Sequence, residues 1–307
     1  MRTVYLGTSE FAATVLTRLA GSGHAPALVL TRPDRASGRG RRQHPPPVAE
    51  RARELGLELA QREDVNSPET FERVAATDPG ALCVCAFGAI ISDPLLSAYE
   101  AYNVHPSLLP RWRGAAPIER AIQAGDDLTG VCIMRPVEEL DAGPVYVRAT
   151  KPILRDDDYG SLAPRLADLG GELLVRALDE RPVPEPQPDI GITYADKIER
   201  DDRRLDPARP AVELERTVRA LSPHIGAWVS LDGADGDDRL GILRAAARDA
   251  DGPAQGAVAE SGGSLLLGTP RGSLELLEVQ PPGKRAMDAQ AYVRGRVRPD
   301  GQNAKRG

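Results

Sequence analysis

The run ALCVCA at residues 81–86 constrains the fold most, because neither of its faces carries a charged or strongly polar side chain. Leu82, Val84 and Ala86 alternate with Cys83 and Cys85. A strand with apolar groups on both faces must be covered on both, as central strands of helix-flanked parallel sheets are. The run therefore predicts a central strand of an α/β protein.

The start of the chain predicts the same class. Thr3–Leu6 and Ala27–Thr31 have the composition of short buried strands. Between them, apolar residues at helical spacing predict a helix with Ser9 as its N-cap. A strand–helix–strand unit implies parallel strands joined by a right-handed crossover. We expect a Rossmann-like, mostly parallel sheet, although the dinucleotide pattern G-x-G-x-x-G is absent after the first strand.

The composition changes in the second half of the chain. Tyr159–Glu180 predicts a long amphipathic helix, and Arg181–Asp189 (RPVPEPQPD) has proline at every second position, typical of a semi-rigid linker. Short strand patterns separated by Gly/Asp turns follow and predict a small β-barrel. We therefore expect one domain over 1–180, a Pro-rich linker over 181–206 and a barrel domain over 207–307.

The charge is unevenly distributed. The net charge is −6, yet Arg32–Arg53 and Lys284–Gly307 each carry seven basic residues against two acids. Two basic segments on an acidic protein fit a polyanionic partner; the alternative is a solvated loop and a frayed tail. Proline and glycine within 32–47 predict a long loop without regular structure.

Cysteine and histidine usage limits the chemistry. Three cysteines, two of them in an apolar C-x-C run, predict buried thiols in a reducing, cytoplasmic compartment rather than a disulfide framework. Four scattered histidines lack metal-ligand spacing, so no metal is expected. The longest apolar run is too short to span a bilayer, and no signal peptide is expected.

Three residues of types that do proton and hydrogen-bond chemistry cluster between 102 and 145. Asn103 and His105 are two apart, so an extended segment points both to one face. Asp141 lies in a Leu-Asp-Ala-Gly-Pro turn that can return it to them. The intervening run SLLPRWRGAAP predicts a fixed loop beside a ligand. Taken singly, Asn-x-His predicts a satisfied turn, Asp141 an ordinary turn residue, and Arg111–Arg113 a surface cation–π patch.

The pattern N-x-H-P-S-L-L-P-R-x-R-G-A-A-P with a later L-D-x-G resembles the signature of formyltransferases that use 10-formyltetrahydrofolate. Its full form is most similar to the methionyl-tRNA formyltransferases. The resemblance implies catalytic roles for Asn103, His105 and Asp141. It also implies 10-formyltetrahydrofolate as formyl donor, methionyl initiator tRNA as acceptor and an oligonucleotide-binding (OB)-like tRNA-binding domain. We expect such a protein to act as a monomer.

The resemblance extends to binding residues. Those expected to line the folate pocket are Phe87, Gly88, Ile90, Ser107, Leu108, Leu109, Pro110 and Gly114. Those expected to contact tRNA are Arg35, Arg39, Arg41, Arg42, Lys284 and Arg285. Departures from the family pattern are Arg32, Leu205-Asp206-Pro207 and His224-Ile225, which bear on tRNA docking and domain packing.

Three other functions remain open at the level of the sequence. A formyltransferase acting on an amino sugar nucleotide or glycinamide ribonucleotide would share the catalytic domain, but would leave the basic loop and the barrel unexplained. A hydrolase would release formate from the same folate, with water as nucleophile. A tRNA-binding protein with an inert enzyme domain would not need Asn103, His105 and Asp141.

Overall fold

The computed structural model describes residues 1–37, 42–231 and 239–296. The chain forms two compact units. The first comprises 1–117, 128–152 and 163–195, and the second 118–127, 153–162 and 196–307. The domain boundaries at 180 and 207, expected from the Pro-rich segment, stay a prediction.

The strands up to residue 195 are β1 (Thr3–Gly7), β2 (Pro26–Thr31), β3 (Arg35–Ser37), β4 (Arg42–His44), β5 (Leu59–Gln61), β6 (Ala81–Cys85), β7 (Ala101–His105), β8 (Arg113–Gly114), β9 (Leu128–Met134), β10 (Val145–Pro152) and β11 (Tyr194–Ala195). The helices in this part are α1 (Glu10–Ala20), α2 (Pro47–Glu54), α3 (Pro68–Ala75), α4 (Asp93–Ala98), α5 (Pro117–Ala124) and α6 (Tyr159–Glu180).

The first unit is built on a seven-stranded sheet of order β10-β9-β7-β6-β1-β2-β5. The pairs from β7 through β5 are parallel, whereas β9 is antiparallel to both β7 and β10. The predicted Rossmann-like, mostly parallel sheet is confirmed. As predicted, β6 is central and buried along its whole length, and Ser9 caps α1, accepting a hydrogen bond from the Ala12 amide at 3.2 Å.

The prediction of an irregular loop over 32–47 was wrong in part. β3 and β4 pair as a two-stranded antiparallel ribbon, with Arg35 opposite His44 and Ser37 opposite Arg42. Pro33 and the prolines from residue 45 onward flank this ribbon and do not interrupt it. Three-residue strands tolerate such flanks because proline removes a donor only at its own position.

The second unit contains a 3₁₀ turn (Asp201–Arg203), α7 (Ala211–Leu221), β12 (Ala227–Ser230), β13 (Arg239–Arg248), β14 (Val258–Ser261), β15 (Ser264–Gly268), β16 (Ser273–Gln280), β17 (Met287–Asp288) and α8 (Ala289–Arg296). Its six-stranded sheet has the order β12-β13-β16-β15-β14, with β17 on β16, and every pair is antiparallel. The antiparallel β domain expected after the linker is therefore present.

Two of the departures from the family pattern have defined places in the second unit. Leu205 lies in its apolar core with α7. The His224 ring stacks on Tyr159 with centroids 3.6 Å apart, and His224 Nε2 lies 3.0 Å from Glu119 Oε1. Both residues are thus held by packing within this unit.

Candidate active site

Strand β7 presents Asn103 and His105 at its carboxyl end. Its main chain pairs with β6 on one side and with β9 on the other, so the strand is fixed within the sheet. The carboxyl ends of strands in open α/β sheets are where ligands bind. His105 is buried, whereas Asn103 is partly exposed. Within the part of the chain that the structure describes, the Asn103 amide has no side-chain hydrogen bond, which leaves its donors for a ligand.

The two nitrogens of the His105 ring face different partners. Its Nε2 lies 2.9 Å from the carbonyl oxygen of Trp112. A carbonyl can only accept, so Nε2 carries a hydrogen and donates. The Nδ1 atom lies 3.6 Å from Oδ2 of Asp141. A hydrogen bond between these two atoms requires one proton on either of them, because a bare ring nitrogen and a carboxylate both lack a donor.

The Asp141 carboxylate is fixed by the loop that follows β7. The Gly114 amide donates to Oδ2 at 2.9 Å. Asp141 itself has φ of 48°, in the left-handed region that aspartate adopts more readily than most residues. The predicted return of Asp141 to His105 is therefore present, and the turn carrying it has a defined geometry.

The run after His105 forms a closely bonded loop. Ser107 Oγ donates to the carbonyl oxygen of Arg111 at 2.6 Å, and the Arg111 guanidinium lies 4.4 Å from the centroid of the Trp112 ring. The cation–π contact expected here is present for Arg111. It is wrong for Arg113, whose side chain is 5% exposed and pairs with Glu139 at 3.1 Å.

The residues predicted to bind folate fall into two groups. Five of them lie in the loop that follows β7, beside His105 and Asp141: Ser107, Leu108, Leu109, Pro110 and Gly114. The others follow β6. Phe87 is buried and its carbonyl accepts from Thr8 Oγ1 at 2.7 Å, Gly88 has φ of 77°, and the Ile90 side chain is 87% exposed. Their role in folate binding stays a prediction.

The structure describes some of the residues predicted to contact tRNA, but not all of them. Arg35, Lys284 and Arg285 are exposed. The main chain of Arg42 lies in β4, while Arg39 and Arg41 lie outside the described residues. In those same described ranges no group of histidine, cysteine, aspartate or glutamate has the arrangement of a metal site. No helix of the described chain is long and apolar enough to cross a membrane.

Sequence reasoning missed one residue beside the site. Gln187, in the Pro-rich segment, donates from Nε2 to the carbonyl oxygens of Asp141 and Gly143 at 2.7 and 2.8 Å. Its Oε1 accepts from Nε and Nη2 of Arg113 at 3.1 and 2.9 Å. A single glutamine between two prolines carries no local signal of these contacts.

Two family models together match most of the chain. Residues 1–178 match the model of the formyl transferase family, and residues 197–297 match the formyl transferase C-terminal domain. A methionyl-tRNA formyltransferase of Ruegeria pomeroyi is 41% identical over 98% of this chain and 99% of its own length.

Solved structures share the fold. A methionyl-tRNA formyltransferase from Clostridium thermocellum superimposes with a TM-score of 0.60 at 15% identity, over 82% of this chain and 95% of its own. HypX from Aquifex aeolicus, in complex with tetrahydrofolic acid, gives 0.63 at 20% identity; the match spans 96% of this chain but 47% of HypX. With both family models matched in order and full-length relatives at this level of identity, the chain belongs to the methionyl-tRNA formyltransferases, enzymes of the formyl transferase family.

Proposed function

We propose that this enzyme transfers the formyl group of 10-formyltetrahydrofolate to the amino group of methionyl initiator tRNA, and that Asn103, His105 and Asp141 carry the chemistry. The observation that carries the proposal is the pairing of His105 with Asp141 at 3.6 Å next to the Asn103 amide, which is without a partner among the described residues. Formyl transfer needs a hydrogen-bond donor for a developing oxyanion and a carrier for one proton. These three side chains have those capacities.

The residues present fit a folate donor. The Asn103 amide offers donors, and the exposed Ile90 side chain offers uncovered apolar surface after β6. When bound, the folate supplies the formyl carbon, to which the amine nitrogen bonds as the bond from that carbon to N10 breaks. We assign the folate to Phe87, Gly88 and Ile90 together with the loop that begins at Ser107.

Asn103 donates to the formyl oxygen as negative charge develops there. A neutral amide suits this role, because it stabilises the charge without giving up its proton. His105 cannot turn Nε2 to the substrate without leaving the Trp112 carbonyl. Its working nitrogen is therefore Nδ1, on the side of Asp141.

Asp141 and His105 handle the proton together. The attacking amine loses one proton and N10 gains one, so the net change is a transfer between two nitrogens. The carboxylate accepts the proton from the amine, while Nδ1–H or the protonated carboxyl donates one toward N10. The Gly114 amide on Oδ2 holds the carboxylate during the exchange. No nucleophilic side chain is needed because the amine is the nucleophile.

One assay tests this function against its alternatives. The purified protein is incubated with 10-formyltetrahydrofolate and, separately, methionyl initiator tRNA, an amino sugar nucleotide, glycinamide ribonucleotide or no amine. We expect formyl-methionyl-tRNA only, with no formate above the uncatalysed rate. Formylation of another amine in preference to the tRNA contradicts the proposed acceptor. Formate released without any amine identifies a hydrolase.

A further inference from the structure

The segment predicted to be a linker lies along the active-site loops as a strap, which we define as residues 185–195. At one end, Glu185 and Val145 exchange main-chain hydrogen bonds of 2.8 and 2.9 Å. At the other, β11 pairs in parallel with β8, and the Trp112 amide donates to Thr193 Oγ1 at 2.9 Å. The strap therefore binds both the end of the Asp141 turn and the loop after β7.

Gln187 is the side chain of the strap that contacts the Asp141 turn. An amide has two N–H donors and an oxygen with two lone pairs. In Gln187 both donors go to the carbonyls of Asp141 and Gly143, and the oxygen accepts twice from Arg113. Exchanging Nε2 and Oε1 would set an acceptor against two carbonyls, so the hydrogen-bond network defines the amide orientation.

The turn is thereby held at three of its residues. Arg113, whose guanidinium is buried, donates through Nη1 to Glu139 Oε1 at 3.1 Å. Gln187 holds the carbonyls of Asp141 and Gly143, while its own oxygen holds Arg113. One polar network thus spans Glu139–Gly143 and connects it to the strap.

This turn needs support from outside itself. Asp141 has a positive φ, and non-glycine residues in that region persist when the surrounding structure holds them there. At Gly143 a Cβ atom would meet the Arg135 carbonyl oxygen at 1.8 Å, so the main chains are in close approach. Small shifts of such a turn move the Asp141 carboxylate relative to His105.

We propose that Gln187 is a positioning residue for formyl transfer, which sets the Asp141 carboxylate relative to Nδ1 of His105 by holding the carbonyls of Asp141 and Gly143. This inference rests on the proposed function, which gives Asp141 its role. Gln187 acts through Asp141 and touches neither His105 nor Asn103 among its hydrogen-bond partners in the described structure. Substituting Gln187 should therefore no longer affect turnover once Asp141 has lost its role in the reaction.

The test is a double-mutant cycle between Gln187→Glu and Asp141→Asn, with Gln187→Ala as a second variant. Glutamate keeps the size of Gln187 and still accepts from Arg113, but it loses both donors and faces two carbonyls. Glu185→Ala is the matched control, because this exposed side chain lies on the same strap and its main-chain bonds to Val145 remain. Steady-state kcat and KM for both substrates and the thermal midpoint are measured for each protein.

We expect Gln187→Glu to lower kcat by about 10- to 100-fold, as misplacement of a reacting group by about 1 Å does. KM for both substrates should stay near the wild-type values, and Glu185→Ala should match the wild type in both kinetics and thermal midpoint. The thermal midpoint of Gln187→Glu should fall, because its carboxylate faces two carbonyl oxygens without a donor. In the Asp141→Asn background the same change should cost less than about threefold, since residues that act as a unit are non-additive.

The possible failures separate the inference from the function on which it rests. If Asp141→Asn lowers turnover by about 10²-fold or more but Gln187→Glu costs nothing, or costs the same in both backgrounds, Gln187 is not acting through Asp141 and the inference is overturned alone. If neither Gln187 variant yields folded protein, the residue is structural and the inference is also overturned. If Asp141→Asn retains wild-type turnover, the proposed role of Asp141 falls, and the inference falls with it.

Discussion

Nδ1 of His105 lies 3.6 Å from Oδ2 of Asp141, on the opposite side of the ring from the nitrogen that donates to Trp112. The main chain of the loop after β7 thus fixes the tautomer: with Nε2–H committed to a carbonyl, only Nδ1 can exchange a proton with the site. His105 can therefore exchange a proton only on the side of its ring that faces Asp141, which is where we propose that the substrates bind.

The first prediction concerns Asn103. Replacing it by alanine removes a donor that makes no side-chain hydrogen bond in the described structure. We expect turnover to fall by about 10²–10³-fold, the usual cost of losing one oxyanion donor, while the free energy of unfolding changes by less than about 1 kcal/mol. Single-turnover formylation and urea unfolding measure the two effects. Activity above about a tenth of the wild type would contradict the assigned role.

The second prediction separates charge from shape at Asp141. Asparagine keeps the size of the side chain and can still accept from the Gly114 amide, but it cannot take a proton. We expect turnover to fall by about 10²-fold or more, with little change in folate affinity. Isothermal titration with a folate and steady-state kinetics distinguish the roles: weak folate binding with normal turnover would make Asp141 a binding residue.

The third prediction concerns the basic segment that contains Arg35 and Arg42. Each arginine that contacts an RNA phosphate contributes roughly one unit to the slope of log affinity against log salt. We expect Arg42→Ala to weaken tRNA binding and to reduce that slope by about one, without changing folate affinity. Arg73→Ala is the control, because Arg73 already pairs with Glu58. An unchanged slope and affinity for Arg42→Ala would leave this segment a solvated insertion.

The fourth prediction concerns the buried thiols. Burial raises the pKa of Cys83 and Cys85 to about 12, and that of Cys132 to about 11. The thiolate is the reactive form, so at pH 8 a thiol reagent should modify none of the three cysteines in the folded protein. In denaturant it should modify all three. Modification of a folded-state cysteine faster than unfolding would contradict their burial.

The raised pKa values of the buried thiols also make the free energy of unfolding fall at high pH. The unfolded thiols lose their protons above their ordinary pKa of 9.0, whereas Cys132 in the folded state keeps its proton until about 11. The stabilising contribution is thus complete below pH 9.0 and is lost as the pH rises through about 11. Urea unfolding between pH 9.0 and about 11 gives the free energy of unfolding as a function of pH. We expect Cys132→Ala to make its decline with pH less steep by up to about 1.4 kcal/mol per pH unit. An unchanged slope would contradict the shift.

Several local features could be predicted because neighbouring residues decide them. Ser9 was expected to cap α1 and does, since a cap depends on a side chain and an amide three residues later. The central position of β6 followed from its apolar residues on both faces. Asn103 and His105 were expected to share one face of a strand, and β7 places them at its carboxyl end.

The ribbon of β3 and β4 marks the limit of that kind of reasoning. Proline and glycine content predicted irregular structure here, whereas Arg35–Ser37 pairs with Arg42–His44. Composition describes average preference and does not report which short segments pair; β3 and β4 pair although Gly38 and Gly40 lie between them in the sequence. The prediction of a surface cation–π patch was also wrong at Arg113, because the Arg113 guanidinium donates hydrogen bonds to Glu139 and Gln187 instead.

The sequence alone determined the class of the fold, the family, and which three residues are candidates for the proton and oxyanion chemistry. Tertiary structure alone decided how they are held. Gln187 bonds to groups 74, 46 and 44 residues away in the chain, and the Trp112 carbonyl selects the tautomer of His105. Such contacts leave no periodicity or local motif, because a hydrogen bond depends on the distance and direction between two groups, and across chain separations of this size only the folded backbone sets them.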